Sequence, residues 1–298
     1  MERFLLEQVI GPKGPLAGET VKRVTSIKGG CIHQAWRLDL SNEKSFFAKT
    51  TSNESFEMLE FEAIGLKSLE KYSNDSFLVI PQPIYLQKFQ TASILLLPWV
   101  NMHEGNEINL GKGLALLHKC SAESNHKYFG WKSNGYIGSG PQPGGIKNSW
   151  GDCFINLRLI PQMKIAKKWG LDLNKFTKLL SKLIEFLNEH SPSPSLVHGD
   201  LWKGNAAINE DQQGIIFDPA IWWADREVDI AMTKLFGGFS KNFYEAYEAI
   251  WPLPESAQTR NNLYNLYHLL NHANLFDGYY KNQCIDILTE LEVTFLNE

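Results

Sequence analysis

One short stretch limits what this chain can become more than any other: His198-Gly199-Asp200-Leu201-Trp202-Lys203-Gly204-Asn205, followed by two strand-like runs and an aspartate. Leu196 and Val197 end a short apolar run, so Gly199 can supply a tight turn from which the Asp200 carboxylate projects. The runs 206–208 and 214–217 flank the polar turn 209–213, the pattern of a β-hairpin. Asp218 closes the second run immediately before Pro219, and the hairpin therefore returns it to the end that holds Asp200 and Asn205. A fold for this chain has to accommodate that hairpin.

The hairpin lies inside a helical region. The stretches 110–120 and 176–187 place Leu, Ile and Phe on one face, and 227–236 also reads as a helix. Before residue 100 the reading changes. Short runs at 21–27, 34–40 and 46–50 are rich in β-branched and aromatic residues, with Gly29-Gly30 and Ser41-Asn42 between them. In 55–69 the apolar positions Met58, Leu59, Ala63, Leu66 and Leu69 recur at helical spacing. Ile94-Leu95-Leu96-Leu97 suits a strand buried on both faces, ended by Pro98. The expectation is an α+β fold of two lobes: residues 1–100 with a sheet and one helix, residues 101–298 mainly helical with the hairpin. The segment 129–150, rich in Gly, Pro and Asn, shows no periodicity, yet Phe129, Trp131 and Tyr136 argue against disorder.

Composition narrows the setting. A net charge of -4 gives no global attraction to nucleic acid or to an anionic membrane. No apolar run is long enough to span a bilayer, and residues 1–7 lack a signal-peptide core. Cys31, Cys120, Cys153 and Cys284 show no metal-ligand spacing, which suits reduced thiols in the cytoplasm. A monomer or weak homodimer is expected.

Asp200, Asn205 and Asp218 form the set that phosphoryl transfer from ATP requires: a group to accept the proton of the attacking hydroxyl, and oxygen ligands for Mg2+. Either aspartate alone would be read as a turn carboxylate. The offset from Asp200 to Asn205 matches that of the protein-kinase catalytic loop. A kinase activation segment ending in Ala-Pro-Glu is missing after Asp218-Pro219-Ala220, which argues for a small-molecule acceptor over a protein.

The run 198–205, with Asp218-Pro219-Ala220 and Asp225-Arg226-Glu227-Val228-Asp229, resembles the fructosamine kinase (ketosamine kinase) family, within the aminoglycoside phosphotransferase and protein-kinase-like fold. Gly29-Gly30-Cys31-Ile32, Phe47-Ala48-Lys49, Glu62-Ala63-Ile64-Gly65-Leu66, Leu114-Ala115-Leu116-Leu117-His118 and Leu270-Asn271-His272 extend the resemblance over nearly the whole chain. It implies Asp200 as catalytic base, Asn205 and Asp218 as magnesium ligands, and Lys49 as the lysine on the nucleotide phosphates. Glu60 and Glu62 both lie on the helix that follows Lys49, and the resemblance favours Glu62 as its partner. Gly29 and Gly30 would cap the phosphates through backbone amides, and the strand ending at Leu97 and Trp99 resembles the hinge that binds adenine. Trp202 and His272, and more weakly Trp222, Trp223 and Asn274, would line the acceptor pocket. Asp225, Arg226 and Asp229 would brace the catalytic loop as an ion-pair network. Cys31, beside the glycines, is a candidate for reversible oxidation. The implied reaction is transfer of the ATP γ-phosphoryl group to the third-carbon hydroxyl of a ketosamine. The alternatives are an aminoglycoside or choline kinase, and a nucleotide-binding pseudokinase.

Overall fold

The computed structural model describes residues 1–28 and 33–296. Gly29, Gly30, Cys31 and Ile32 lie outside the described residues, and with them the expectations placed on the glycines and on Cys31. The first lobe is built on an antiparallel sheet of order β1-β2-β3-β6-β5: β1 Val21–Ile27, β2 Gln34–Leu40, β3 Ser45–Ser52, β5 Tyr85–Lys88 and β6 Ala92–Pro98. β6 is buried on both faces because each face meets a different core. Ile94 and Leu96 join Leu38, Leu40 and Ala48 under Val9 of α1 (Arg3–Ile10), a helix the sequence reading did not identify. Leu95 and Leu97 turn the other way, into the core that contains Leu59, Leu66 and Leu69 of α2 (Phe56–Glu70).

The strand β4 (Leu78–Val79) does not join this sheet. It pairs in parallel with β13 (Gly214–Ile216), whose other partner is β12 (Ala206–Ile208), giving the order β12-β13-β4. A division near residue 100 therefore does not separate the hydrogen-bonded sheets, since a segment of the first hundred residues completes the sheet of the hairpin.

The second lobe packs α3 (Ile108–Ala122), α4 (Trp150–Phe154), α5 (Ile160–Ala166), α6 (Thr177–His190), α7 (Glu227–Leu235), α8 (Lys241–Ile250), α9 (Ala257–Phe276) and α10 (Tyr280–Leu296). α9 is buried over most of its circumference, from Leu263 to Asn271, because α5, α7 and α10 all lie against it. The aperiodic segment 129–150 folds as four strands of three residues, too short to show a period: β7 Phe129–Trp131, β8 Gly135–Ile137, β9 Gly140–Gln142 and β10 Gly145–Lys147. β8 and β9 form a hairpin, while β7 and β10 join β11 (Ser195–Val197) and β14 (Trp222–Ala224) in a sheet of order β10-β7-β14-β11. β11 leads directly into the loop carrying Asp200. Cys153 and Cys284 are buried free thiols and Cys120 is an exposed one. Among the described residues, no helix is long and apolar enough to cross a membrane.

Candidate active site

The loop after β11 is shaped by one glycine and one buried carboxylate. Gly199 has φ +82°, and a Cβ there would overlap the carbonyl oxygen of Ala220, so only glycine fits. Asp229, fully buried on α7, accepts the backbone amides of His198 (2.7 Å) and Gly199 (2.8 Å). Burial alone would push its carboxyl up, but His118 at 3.0 Å, His198 and the Gly199 amide hold it below the usual carboxylate range. His198 donates through Nε2 to the carbonyl of Phe217 (2.9 Å), tying the loop to the hairpin end, and Nδ1 faces the Asp200 amide at 3.3 Å. The next two residues thus have little freedom.

The Asp200 carboxylate is turned into the cleft. Asn205 donates its amide to the Asp200 backbone carbonyl (2.9 Å) and to Oδ2 (3.3 Å), which leaves the Asn205 carbonyl oxygen as the end suited to a cation. Asp200 Oδ1 is buried and has no hydrogen-bond partner. Burial and the neighbouring charge of Asp218 raise the Asp200 carboxyl to about 7. Asp218 itself sits at φ +57°, a left-handed conformation that asparagine and aspartate tolerate better than other side chains, and one that a following proline disfavours. Strain of this kind persists where the surroundings over-determine it. Here Lys49 holds the Asp218 carboxylate directly.

Lys49 reaches that position from β3. It is buried, and its Nζ lies 2.8 and 2.9 Å from the two Glu62 oxygens on α2 as well as against Asp218. Burial opposes its charge, yet the two carboxylates together raise its pKa, so it stays an ammonium. Glu62, and not Glu60, is therefore the partner. Burial and the Asp218 charge push Glu62 upward against the pull of Lys49.

These groups share one cavity of about 470 Å3, also lined by His33, Met58 and Phe61 on one side and by Trp202, Phe236, His272, Phe276 and Tyr280 on the other. The indole of Trp202 folds over Gly204, where a Cβ would overlap the ring, and stands edge-on to Phe236 at 6.3 Å. His272 lies 4.7 Å from Phe236 and 5.3 Å from Tyr280, with Nδ1 on the His268 carbonyl. The structure thus brings together Asp200, Asn205, Asp218, Lys49, Glu62, Trp202 and His272.

Other expected positions fall elsewhere. Leu97 is buried opposite Phe47, and the Trp99 amide is donated to Ser45; neither lines this cavity. Trp222 is core, stacked on Trp150 at 5.5 Å and under the Arg158 guanidinium at 4.1 Å, and Trp223 stacks on His126. Asn274 bonds Gln162 and Trp169 and does not line the cavity. The ion-pair network resolves into a hydrogen-bonded chain. Among the described residues Arg226 meets no carboxylate; it donates to the carbonyls of Trp251 and Pro252 and to the Tyr247 hydroxyl, which bonds His118, which in turn bonds Asp229. Asp225 is occupied by Tyr264 and His190, away from the loop. His33, Met58, Phe236, Phe276 and Tyr280 were not anticipated. Scattered over five elements or connections, they carry no local pattern, although an aromatic excess around 276–280 is visible.

Comparison with known proteins places the chain in a family. The family model for fructosamine kinase matches residues 13–293. A probable ketoamine kinase of Synechocystis is 37% identical over 268 residues, covering 89% of this chain and 88% of its own. The chloroplastic protein-ribulosamine 3-kinase of Arabidopsis thaliana is 31% identical, covering 91% of this chain and 82% of its own. A crystal structure of a fructosamine-3-kinase-type protein from Haemophilus somnus superposes with a TM-score of 0.85 at 26% identity, covering 96% of each chain. An aminoglycoside phosphotransferase, at 14% identity and a TM-score of 0.58 over 91% of this chain and 95% of its own, shares the protein-kinase-like fold. The chain belongs to the fructosamine kinase family.

Proposed function

We propose that this protein transfers the γ-phosphoryl group of ATP to a sugar hydroxyl of a ketosamine, the third-carbon hydroxyl being the one favoured. The observation that carries this reading is Asp200: its buried Oδ1 has no hydrogen-bond partner, and the residue lines a cavity that holds Lys49, Glu62, Asn205 and Asp218 at one end and an aromatic wall at the other. Asp200 orients the hydroxyl and accepts its proton as the oxygen attacks the γ-phosphorus, and ADP departs. A carboxyl raised to about 7 is matched to that task at neutral pH. Lys49, held by Glu62, stabilises charge on the phosphates. The donor set fits Mg2+, since the Asn205 amide oxygen and the Asp218 carboxylate are hard oxygen ligands on one side of the cleft. When bound, Mg2+ would neutralise the phosphate charge there. The planar faces of Trp202 and the rings beside it suit the apolar face of a sugar and the chain of its amine. We place such an enzyme in the cytoplasm, as a monomer or weak homodimer.

The test is ATP consumption with a fructosyl-amine panel set against choline, free sugars and aminoglycosides. Turnover confined to the ketosamines is the expected result. Preference for an aminoglycoside or choline would overturn the substrate, and tight ATP binding without any turnover would overturn the enzyme.

A further inference from the structure

The β8–β9 hairpin is mounted on one lobe and reaches the other. At its base, Gln142 donates to the carbonyls of Ala220 (3.2 Å) and Ile221 (3.3 Å), just beyond Asp218-Pro219, and accepts the Tyr267 hydroxyl at 3.0 Å. Asn271 on α9 donates to the Ile137 carbonyl. Its β8 strand, paired across the base with Gln142, also meets α2. Gly135 lies so close to the Phe61 ring that a Cβ would overlap three ring carbons, and the Tyr136 hydroxyl donates to Glu57 Oε2 at 3.1 Å. Phe61 directly precedes Glu62, the partner of Lys49. Tyr136 and, at the turn, Gly138 and Ser139 line the cavity beside Phe61, Glu62 and Asp200. One short element therefore touches the acceptor space, the backbone behind Asp218 and the helix that aims Lys49.

We propose that Tyr136 is a positioning residue: through its hydroxyl on Glu57 it couples occupancy of the acceptor cavity to the placement of α2, and so to the grip of Lys49 on the nucleotide phosphates. The proposal rests on the kinase reading above. An acceptor packed against Tyr136, Gly138 and Ser139 presses the hairpin toward α2, which favours the Lys49–Glu62 geometry. By linkage, bound nucleotide then tightens the acceptor by the same factor. The Gly65 contact, where a Cβ would come within 2.7 Å of Pro219, already seats the middle of α2. The Tyr136–Glu57 bond governs its N-terminal end.

The experiment measures the dissociation constant for ATP with and without a saturating fructosyl-lysine acceptor, using the slowly turned-over analogue AMP-PNP in its place for binding. The wild type should bind nucleotide several-fold more tightly with acceptor present. Tyr136→Phe and Glu57→Gln should each bring that ratio near one, and the double variant should do no more than either alone. Because the ratio does not depend on the fraction of active protein, a merely destabilising effect would not change it. A wild-type ratio of one, or a Tyr136→Phe ratio equal to wild type, overturns the proposal. Absence of ketosamine turnover by the wild type would instead overturn the kinase reading.

Discussion

The two ends of the cleft are built on different principles. At the Asp218 end Lys49 and Asp229 are each held by more than one neighbour. Lys49 meets Glu62 and Asp218, and Asp229 takes two backbone amides and a histidine. At the acceptor end the wall consists of rings touching rings, with Trp202 38% and Phe276 56% exposed. Charges in a low-dielectric site act only when placed closely, so the reacting end is over-determined. Aromatic faces bind by area and tolerate displacement. The chemistry is held by a rigid frame and the acceptor by an adaptable surface.

Substitutions at the two ends should therefore fail in different ways. Asp200→Ala should cost the most, on the order of 10^2 to 10^4 in kcat with protein that remains folded. Purified variant compared with wild type by steady-state kinetics and circular dichroism decides this, and a near-normal kcat would remove Asp200 as the base. Asp229→Asn should lower stability by about 1–3 kcal/mol, because buried amides at His198 and Gly199 lose a charged acceptor. Urea unfolding measures it, and an unchanged midpoint would show that the loop is held by something else. Glu62→Gln should raise the KM for ATP and lower kcat together, since Lys49 keeps only one carboxylate. An effect confined to the acceptor KM would place Glu62 at the wrong end of the comparison. Trp202→Ala should raise the acceptor KM by roughly 10-fold, as expected for about 1–2 kcal/mol of lost ring contact, with a smaller fall in kcat. Phe276→Ala, at the exposed rim, should change acceptor KM least, within a few-fold. A larger loss there than at Trp202 would mean that the amine, and not the sugar, dominates recognition.

The same contrast explains what could be read without coordinates. Asp200, Asn205 and Asp218 lie within nineteen residues of one another in a loop and a hairpin, so turn chemistry alone brings them together. Lys49 and Glu62 needed only a strand and the next helix. The acceptor wall draws on a loop, the end of α7, α9 and α10, and its assembly depends on helix packing that no local period encodes. Trp222 and Trp223 looked like pocket residues for being aromatic and near Asp218. They belong to β14, a central strand of a four-stranded sheet, whose faces are both covered. Arg226 looked like a partner for the adjacent aspartates, but neighbours in sequence at a helix start point in different directions, and it finds carbonyls and the Trp251 face. Helix α1 carried too few residues to stand out, and only its Leu5 and Val9 show its purpose.

The parallel pairing of β4 with β13 has a consequence for how this fold can be rearranged. Leu78 and Val79 are threaded into the sheet that positions Asp218, so a fragment that begins after residue 100 lacks an edge of its own catalytic hairpin. Parallel edges cannot be repaired by a tight turn and must be supplied by distant chain. A lobe borrowed from a relative would graft onto this one only if the swap carried 78–79 along with the helical part, which makes the natural seam between the two halves a discontinuous one.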